Sequence, residues 1–205
     1  MKSAKAAESR TVVILTKEGF TEDIITALAD ADAIKVVGLP RVIVKALASP
    51  FLPYFIDDNN YASCGAEFDE AKQRYRRFIA DLFKTLRHFM RIDAIISGNF
   101  SYASERELAS AMQEMGTPFI ALHKENLKTS GRVEFFERLY RERRGPFTGR
   151  KILVYNQIER DLQLRAGVAG PAGIEIVGMP RLDRMHAWRR ANAGTVQPGR
   201  ILFFV

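Results

Sequence analysis

Short apolar runs alternate with longer amphipathic ones along almost the whole chain. Thr11-Val12-Val13-Ile14-Leu15-Thr16 is nearly all apolar, as a parallel strand covered on both faces requires. Lys17-Glu18-Gly19-Phe20 turns the chain, and Thr21 can cap a helix with Ile24, Ile25 and Leu28 on one side. Ile34 to Leu39 predicts a second strand stopped by Pro40. A short helix through Val44 and Leu47 follows until Pro50 and Pro53 break it. Phe51 to Ile56 is apolar and punctuated by Pro, and Asp57-Asp58-Asn59-Asn60-Tyr61 is a polar loop.

The clearest helical pattern comes next. Phe68, Ala71, Tyr75, Phe78, Ile79, Leu82, Leu86 and Phe89 recur at three- and four-residue steps, while Lys72, Arg74, Arg76, Arg77, Lys84, Arg87 and Arg91 occupy other positions. From Asp93 the alternation is regular. Asp93 to Ser97 is a strand, Gly98 to Tyr102 a turn, and Ser104 with Glu107 has capping-box spacing ahead of Leu108, Ala111, Met112 and Met115. Gly116 stops that helix. Pro118 to Leu122 is the next strand, followed by the turn His123-Lys124-Glu125-Asn126 and a helix holding Val133, Phe136, Leu139 and Tyr140. Lys151 to Tyr155 is a further strand, and Asn156-Gln157 leads into a helix that stops at Gly167.

In Gly173-Ile174-Glu175-Ile176-Val177-Gly178-Met179-Pro180-Arg181-Leu182-Asp183 a buried strand is expected to stop at a tight turn. Pro180 opens the next helix and Asp183 sits near the positive end of its dipole. Strands alternating with helices over this length imply an α/β fold with a doubly wound, Rossmann-like parallel sheet and right-handed crossovers. The domain is expected to span 11–191, after a disordered tail at 1–10. A turn-rich linker covers 192–199, and the apolar run 200–205 reads as the first strand of a second, C-terminal domain.

Composition narrows the class without naming a reaction. Of 205 residues 47% are hydrophobic and 27% charged, the balance of a soluble globular protein. Cys64 is the single cysteine, which excludes an internal disulfide. No apolar run reaches the roughly 18 residues of a membrane span, and the first ten residues have no apolar core of a signal peptide, so a cytoplasmic protein is expected. The formal net charge of +7 suits a polyanion: nucleic acid, an anionic membrane face or a phosphorylated substrate. No helix-turn-helix or aromatic strand platform accompanies the basic residues, so nucleic acid is not the expected partner.

Ligands of open parallel sheets bind beyond the carboxyl ends of the strands, near the switch in strand order. The turns there hold Glu18 and Gly19; Asn99, Ser101 and Tyr102; His123, Lys124, Glu125 and Asn126; Asn156 and Gln157; and Arg181 with Asp183. His123, Glu125 and Glu18 can serve as general bases on a hydroxyl, and Lys124 can hold a phosphate or carboxylate. The alternative for each is a helix cap, a surface ion pair or a solvated loop residue. The first turn lacks the G-x-G-x-x-G fingerprint, and no phosphate loop, nucleophile elbow or zinc helix is present. His88, His123 and His186 lie far apart and show no metal-ligand spacing, so neither metal nor cofactor is expected.

Ile176-Val177-Gly178-Met179-Pro180-Arg181-Leu182-Asp183 resembles the V-T-G-N-P-R-x-D joint that closes the first Rossmann-like domain of GT-B-type enzymes of bacterial surface-carbohydrate biosynthesis. Kdo transferases, glycerophosphotransferases and UDP-GlcNAc 2-epimerases share it, and Met179 stands here where they carry Asn. Asp93 to Tyr102, Ser104 to Leu108 and His123 to Asn126 are similar to surface-polysaccharide proteins of the same type. The resemblance implies an acceptor-binding half of a glycosyltransferase, with catalysis in a cleft against a second domain that binds the nucleotide-sugar donor. It implies His123, Glu125 and Glu18 as catalytic groups. Lys124, Asn99, Ser101, Tyr102, Asn126, Asn156, Arg181 and Asp183 would contact substrate.

On that reading the acceptor is a carbohydrate or lipid-linked saccharide, and the chain is inactive alone. The basic helix face from Lys72 to Arg91 and the Phe51–Ile56 segment would suit peripheral binding to the inner face of an anionic membrane. An epimerase-like enzyme half and a stand-alone α/β binding module remain as alternatives.

Overall fold

The structure, a computed structural model, describes residues 9–123, 128 and 130–193. Most of the predicted tail, most of the predicted linker and all of 200–205 lie outside these residues, as do Lys124, Glu125 and Asn126. Among the described residues six parallel strands form one sheet: β1 (Arg10–Thr16), β2 (Ile34–Pro40), β3 (Ala94–Ser97), β4 (Phe119–Leu122), β5 (Lys151–Val154) and β6 (Ile174–Ile176). Between and after them run α1 (Thr21–Leu28), α2 (Arg41–Ala48), α3 (Asp69–Leu86), α4 (Ala103–Glu114), α5 (Val133–Leu139), α6 (Gln157–Arg165) and α7 (Asp183–Ala191).

The spatial order is β2-β1-β3-β4-β5-β6. The chain steps outward from β1 to β2, returns past β1 to β3, and then proceeds the other way. The order therefore switches between β1 and β3, and a parallel sheet opens a crevice at the carboxyl ends of such a pair. This is the doubly wound fold that the alternation of strand and helix patterns predicts.

Strand side chains alternate between two buried layers. Val13, Leu15, Ile95 and Phe119 point to the face covered by α2, α3 and α4, where they meet Val44, Tyr75, Ile79, Phe83, Leu108 and Met112. Ala121, Ile152 and Val154 continue that face toward Tyr140 and Leu162. Val12, Ile14, Ile96 and Leu122 point the other way, onto Phe20, Ile24 and Tyr155. Full burial of each such side chain contributes about 1.5–3 kcal/mol, so these layers dominate the stability of the domain.

Several local expectations are corrected. The long helix ends at Leu86, before Phe89, which is 83% exposed. Its basic residues are largely answered by acids: Lys72 by Asp69 at 3.0 Å, Arg76 by Glu107 at 2.6 Å and Glu114 at 3.1 Å, and Lys84 by Asp81 at 3.0 Å. Thr21 does not cap α1, because Phe20 holds the cap position. Its hydroxyl instead donates to the Lys17 carbonyl at 3.0 Å and accepts the Lys17 N–H at 3.1 Å. Among the described residues the strand before Pro180 is an edge, not a buried core strand: it pairs with β5 alone, and Ile176 is 42% exposed.

The largest departure is α4. Its apolar stripe predicts one buried side, yet every residue from Ala103 to Met112 is buried, including Glu105, Arg106 and Glu107. The supposed capping box is absent. Tyr102 holds the cap position, and Glu107 accepts from Tyr61 and Arg76. Asp58, 45 residues upstream, accepts the Ala103 N–H at 2.7 Å. A buried charge is tolerated only when paired, and each of these three has partners from other elements.

Candidate functional site

β3 ends at Ser97, and the next residues build the crevice. Gly98 packs closely: a Cβ there would lie 3.1 Å from the Phe20 ring of the β1 turn, which would have to give by a few tenths of an ångström. Asn99 Oδ1 accepts both the N–H and the hydroxyl of Ser101 at 3.1 Å, a side-chain turn that delivers Tyr102 to the start of α4. Ser97 Oγ donates to Glu105 Oε2, and Arg41 Nε donates to Glu105 Oε1 at 2.5 Å. Burial pushes the Glu105 carboxyl up to about 7. The Arg41 charge, the Ser97 and Arg41 hydrogen bonds oppose that shift, and Asp58 adds to it.

Two cations converge on one ring. The Arg41 guanidinium lies 3.5 Å from the centroid of Tyr102, and Lys17 Nζ lies 5.0 Å from it while donating to the Tyr102 hydroxyl at 3.2 Å. Arg41 is 91% removed from solvent, at the joint where β2 becomes α2. Among the described residues its Nη2 has no hydrogen-bond partner, and Asp58 Oδ2 lies 3.9 Å away, an ion-pair distance too long for a hydrogen bond.

Two pockets lie beside these groups, a basic and a mixed lobe that share Lys45 as a wall. A basic lobe of about 300 Å³ is lined by Thr16, Lys17, Pro40, Arg41, Val42 and Lys45. A mixed lobe of about 380 Å³ has Ser49, Tyr54, Asp57, Asp58, Asn59 and Ser104 among its walls, and Lys45 borders both. Ser104 is 8% exposed, and its Oγ has no hydrogen-bond partner among the described residues. Tyr54 is 98% exposed.

The residues singled out from the sequence divide. Tyr102, Asn99 and Ser101 are all buried; the Tyr102 ring meets Lys17 and Arg41, and the other two shape the turn that leads to it. Glu18 is exposed on the β1 turn. His123 is fully buried, with Nε2 3.0 Å from Glu159 Oε1 and 3.2 Å from the Tyr140 hydroxyl. Asn156 caps α6 by accepting the Glu159 N–H at 2.9 Å. Arg181 donates to Asp23 at 2.7 Å and to the Gly19 carbonyl at 3.2 Å, clamping the Pro180 turn onto the first turn of the chain. Asp183 is exposed in the first turn of α7.

Sequence reasoning missed Arg41, Lys45, Asp58, Ser104 and Glu105 as site residues. Arg41 carried a usable signal, since it immediately follows a strand that ends at Pro40. Asp58 carried none, because its approach to α4 depends on how the connection between α2 and α3 folds back. Among the described residues no group of three or more acids, histidines and cysteines could hold a metal, and no helix is long and apolar enough to cross a membrane.

No family model matches the sequence, and no curated protein is similar to it. The structure is similar to that of UDP-N-acetylglucosamine 2-epimerase from Rickettsia bellii, with 11% identity and a TM-score of 0.46. That likeness covers 92% of this chain and 49% of the epimerase, so the chain spans about half the length of its neighbour. At this level the likeness concerns the path of the chain. It assigns neither substrate nor reaction.

Proposed function

We propose that this chain is the acceptor-binding half of a GT-B-type glycosyltransferase, which passes a sugar from a nucleotide-sugar donor to a carbohydrate or lipid-linked acceptor. The observation that carries the reading is the pair of adjoining pockets, meeting at Lys45, beside the carboxyl ends of β1 and β2. Their walls combine carboxylates, an amide, hydroxyls, ammonium groups and an exposed tyrosine ring. Hydroxyl-rich ligands need many donors and acceptors at short spacing, and an open aromatic face accepts the C–H side of a sugar ring. The resemblance carried by Ile176 to Asp183, Asp93 to Tyr102, Ser104 to Leu108 and His123 to Asn126 supports the same class.

In this reading the acceptor occupies the cleft, and the donor is held mainly by a second α/β domain. Glu18, Asp57 and Asp58 are carboxylates at this end of the sheet, each a candidate to accept the proton of an acceptor hydroxyl as it attacks the donor sugar. Glu105 is enclosed and positions Arg41. His123 packs inside a network of its own.

The test is an amide chemical-shift titration of the chain with neutral and charged oligosaccharides and with a micelle-borne lipid-linked saccharide. Shifts are expected at Thr16–Lys17, Tyr54–Asn59 and Ala103–Ser104. No response in those segments at millimolar ligand would overturn the reading.

A further inference from the structure

The two lobes differ in charge, and that difference selects a ligand. Lys17, Arg41 and Lys45 line the basic lobe, and no carboxylate shares its wall. Arg41 lies over the face of the Tyr102 ring and Lys17 donates to its hydroxyl, so both cations border one ring. Glu105 answers Arg41 through Nε, while the buried Nη2, 3.9 Å from Asp58 Oδ2, makes no hydrogen bond among the described residues. The mixed lobe is the reverse. Asp57 and Asp58 repel an anion there, whereas their oxygens, Asn59 and the unpartnered Ser104 hydroxyl suit ligand hydroxyls.

We infer that the cleft takes a phosphorylated carbohydrate. Its phosphate sits against Lys17, Arg41 and Lys45, and its sugar hydroxyls lie in the lobe of Asp57, Asp58 and Ser104 beside Tyr54. This deepens the acceptor reading and rests on it. Lys45, on the border of both lobes, reads the link between phosphate and ring. A phosphate monoester, with up to two charges near neutral pH and three acceptor oxygens, can engage all three cations at once. Asp57 and Asp58 disfavour the phosphate in the mixed lobe, and Asp58, 3.9 Å from Arg41 Nη2, marks the boundary between the two ends.

Calorimetric titration of the chain with a panel of hexose and hexosamine monophosphates, their dephosphorylated sugars and inorganic phosphate tests the inference. At least one sugar monophosphate is expected to bind tenfold or more tightly than its dephosphorylated partner. Raised salt should weaken it. Lys45→Glu, at an exposed position of α2, should keep the thermal midpoint and abolish the phosphate advantage. Ser104→Ala should weaken the sugar phosphate several-fold and leave inorganic phosphate unaffected.

Equal binding of neutral and phosphorylated sugars would overturn the inference while leaving the acceptor reading standing. Inorganic phosphate binding as tightly as every sugar phosphate would overturn the carbohydrate half of it, and no binding by any ligand would overturn both.

Discussion

Two buried glutamates at the same end of the sheet, Glu105 and Glu159, sit in networks of opposite character. Glu159 Oε1 lies 3.0 Å from His123 Nε2 and accepts from the Tyr140 hydroxyl at 3.0 Å and from Gln163 Nε2 at 2.9 Å. Burial pushes its carboxyl up, but the His123 hydrogen bond and charge, the Gln163 hydrogen bond and the Lys128 charge outweigh burial and hold it below the usual value. Glu105 has one donor on each oxygen and Asp58 nearby. There burial wins. Donors per carboxylate and the sign of the nearest further charge decide the outcome, not depth alone. The first network is closed; the second borders the cleft.

Removing the acid from the closed network should cost most. Glu159→Ala strips the acceptor from three buried donors, and its loss should destabilise the domain by about 3–4 kcal/mol in urea unfolding at pH 7. A cost below about 1 kcal/mol would show that the network contributes little.

The pH dependence of the two networks should run in opposite directions. Glu105 is raised from 4.5 to about 7, so between these values the folded state holds a proton that the unfolded state has released. Stability from this group falls as pH rises through that window, by about 3 kcal/mol in all. Glu105→Gln should remove that slope, and an unchanged slope in the variant would assign it elsewhere. The lowered Glu159 carboxyl contributes stability that is present above 4.5 and is lost as pH falls below it.

A third ion pair, at the rim, should be weaker than either. Arg181→Ala leaves the buried Asp23 carboxylate without its guanidinium and should cost about 2 kcal/mol. Amide exchange should quicken in the Pro180–Leu182 turn and at the start of α1; unchanged exchange there would show that other contacts hold the turn. Smallest of all, Asn156→Ala removes a helix cap beside the closed network and should cost about 1 kcal/mol, measured by thermal unfolding. No loss there would mean that packing alone places α6.

Much of the framework was legible in the residues themselves. Each described strand falls within two residues of its apolar run, and Gly116 and Gly167 take the positive φ expected just past α4 and α6. Periodicity reports which side of an element is buried, and the order of elements reports the class of sheet. The places to search for chemistry followed from that class, and Tyr102 lay among them.

The roles did not follow. His123 has the chemistry of a base, yet α6 supplies Glu159 and seals it inside. Glu105 and Glu107 look like surface charges of an ordinary amphipathic helix until α2 and α3 bring Arg41 and Arg76 against them.

By itself, then, the sequence determined the alternation of elements, their ends at Gly and Pro, and the doubly wound sheet. Those depend on steric and hydrophobic preferences that act over a few neighbouring residues. Tertiary structure decided which charges are buried, which are open and where the cleft lies. Those outcomes come from pairs 45, 64 and 158 residues apart: Ala103 with Asp58, Arg41 with Glu105 and Arg181 with Asp23. The strength of such a pair depends on burial and separation in space, and both exist only once the chain has folded.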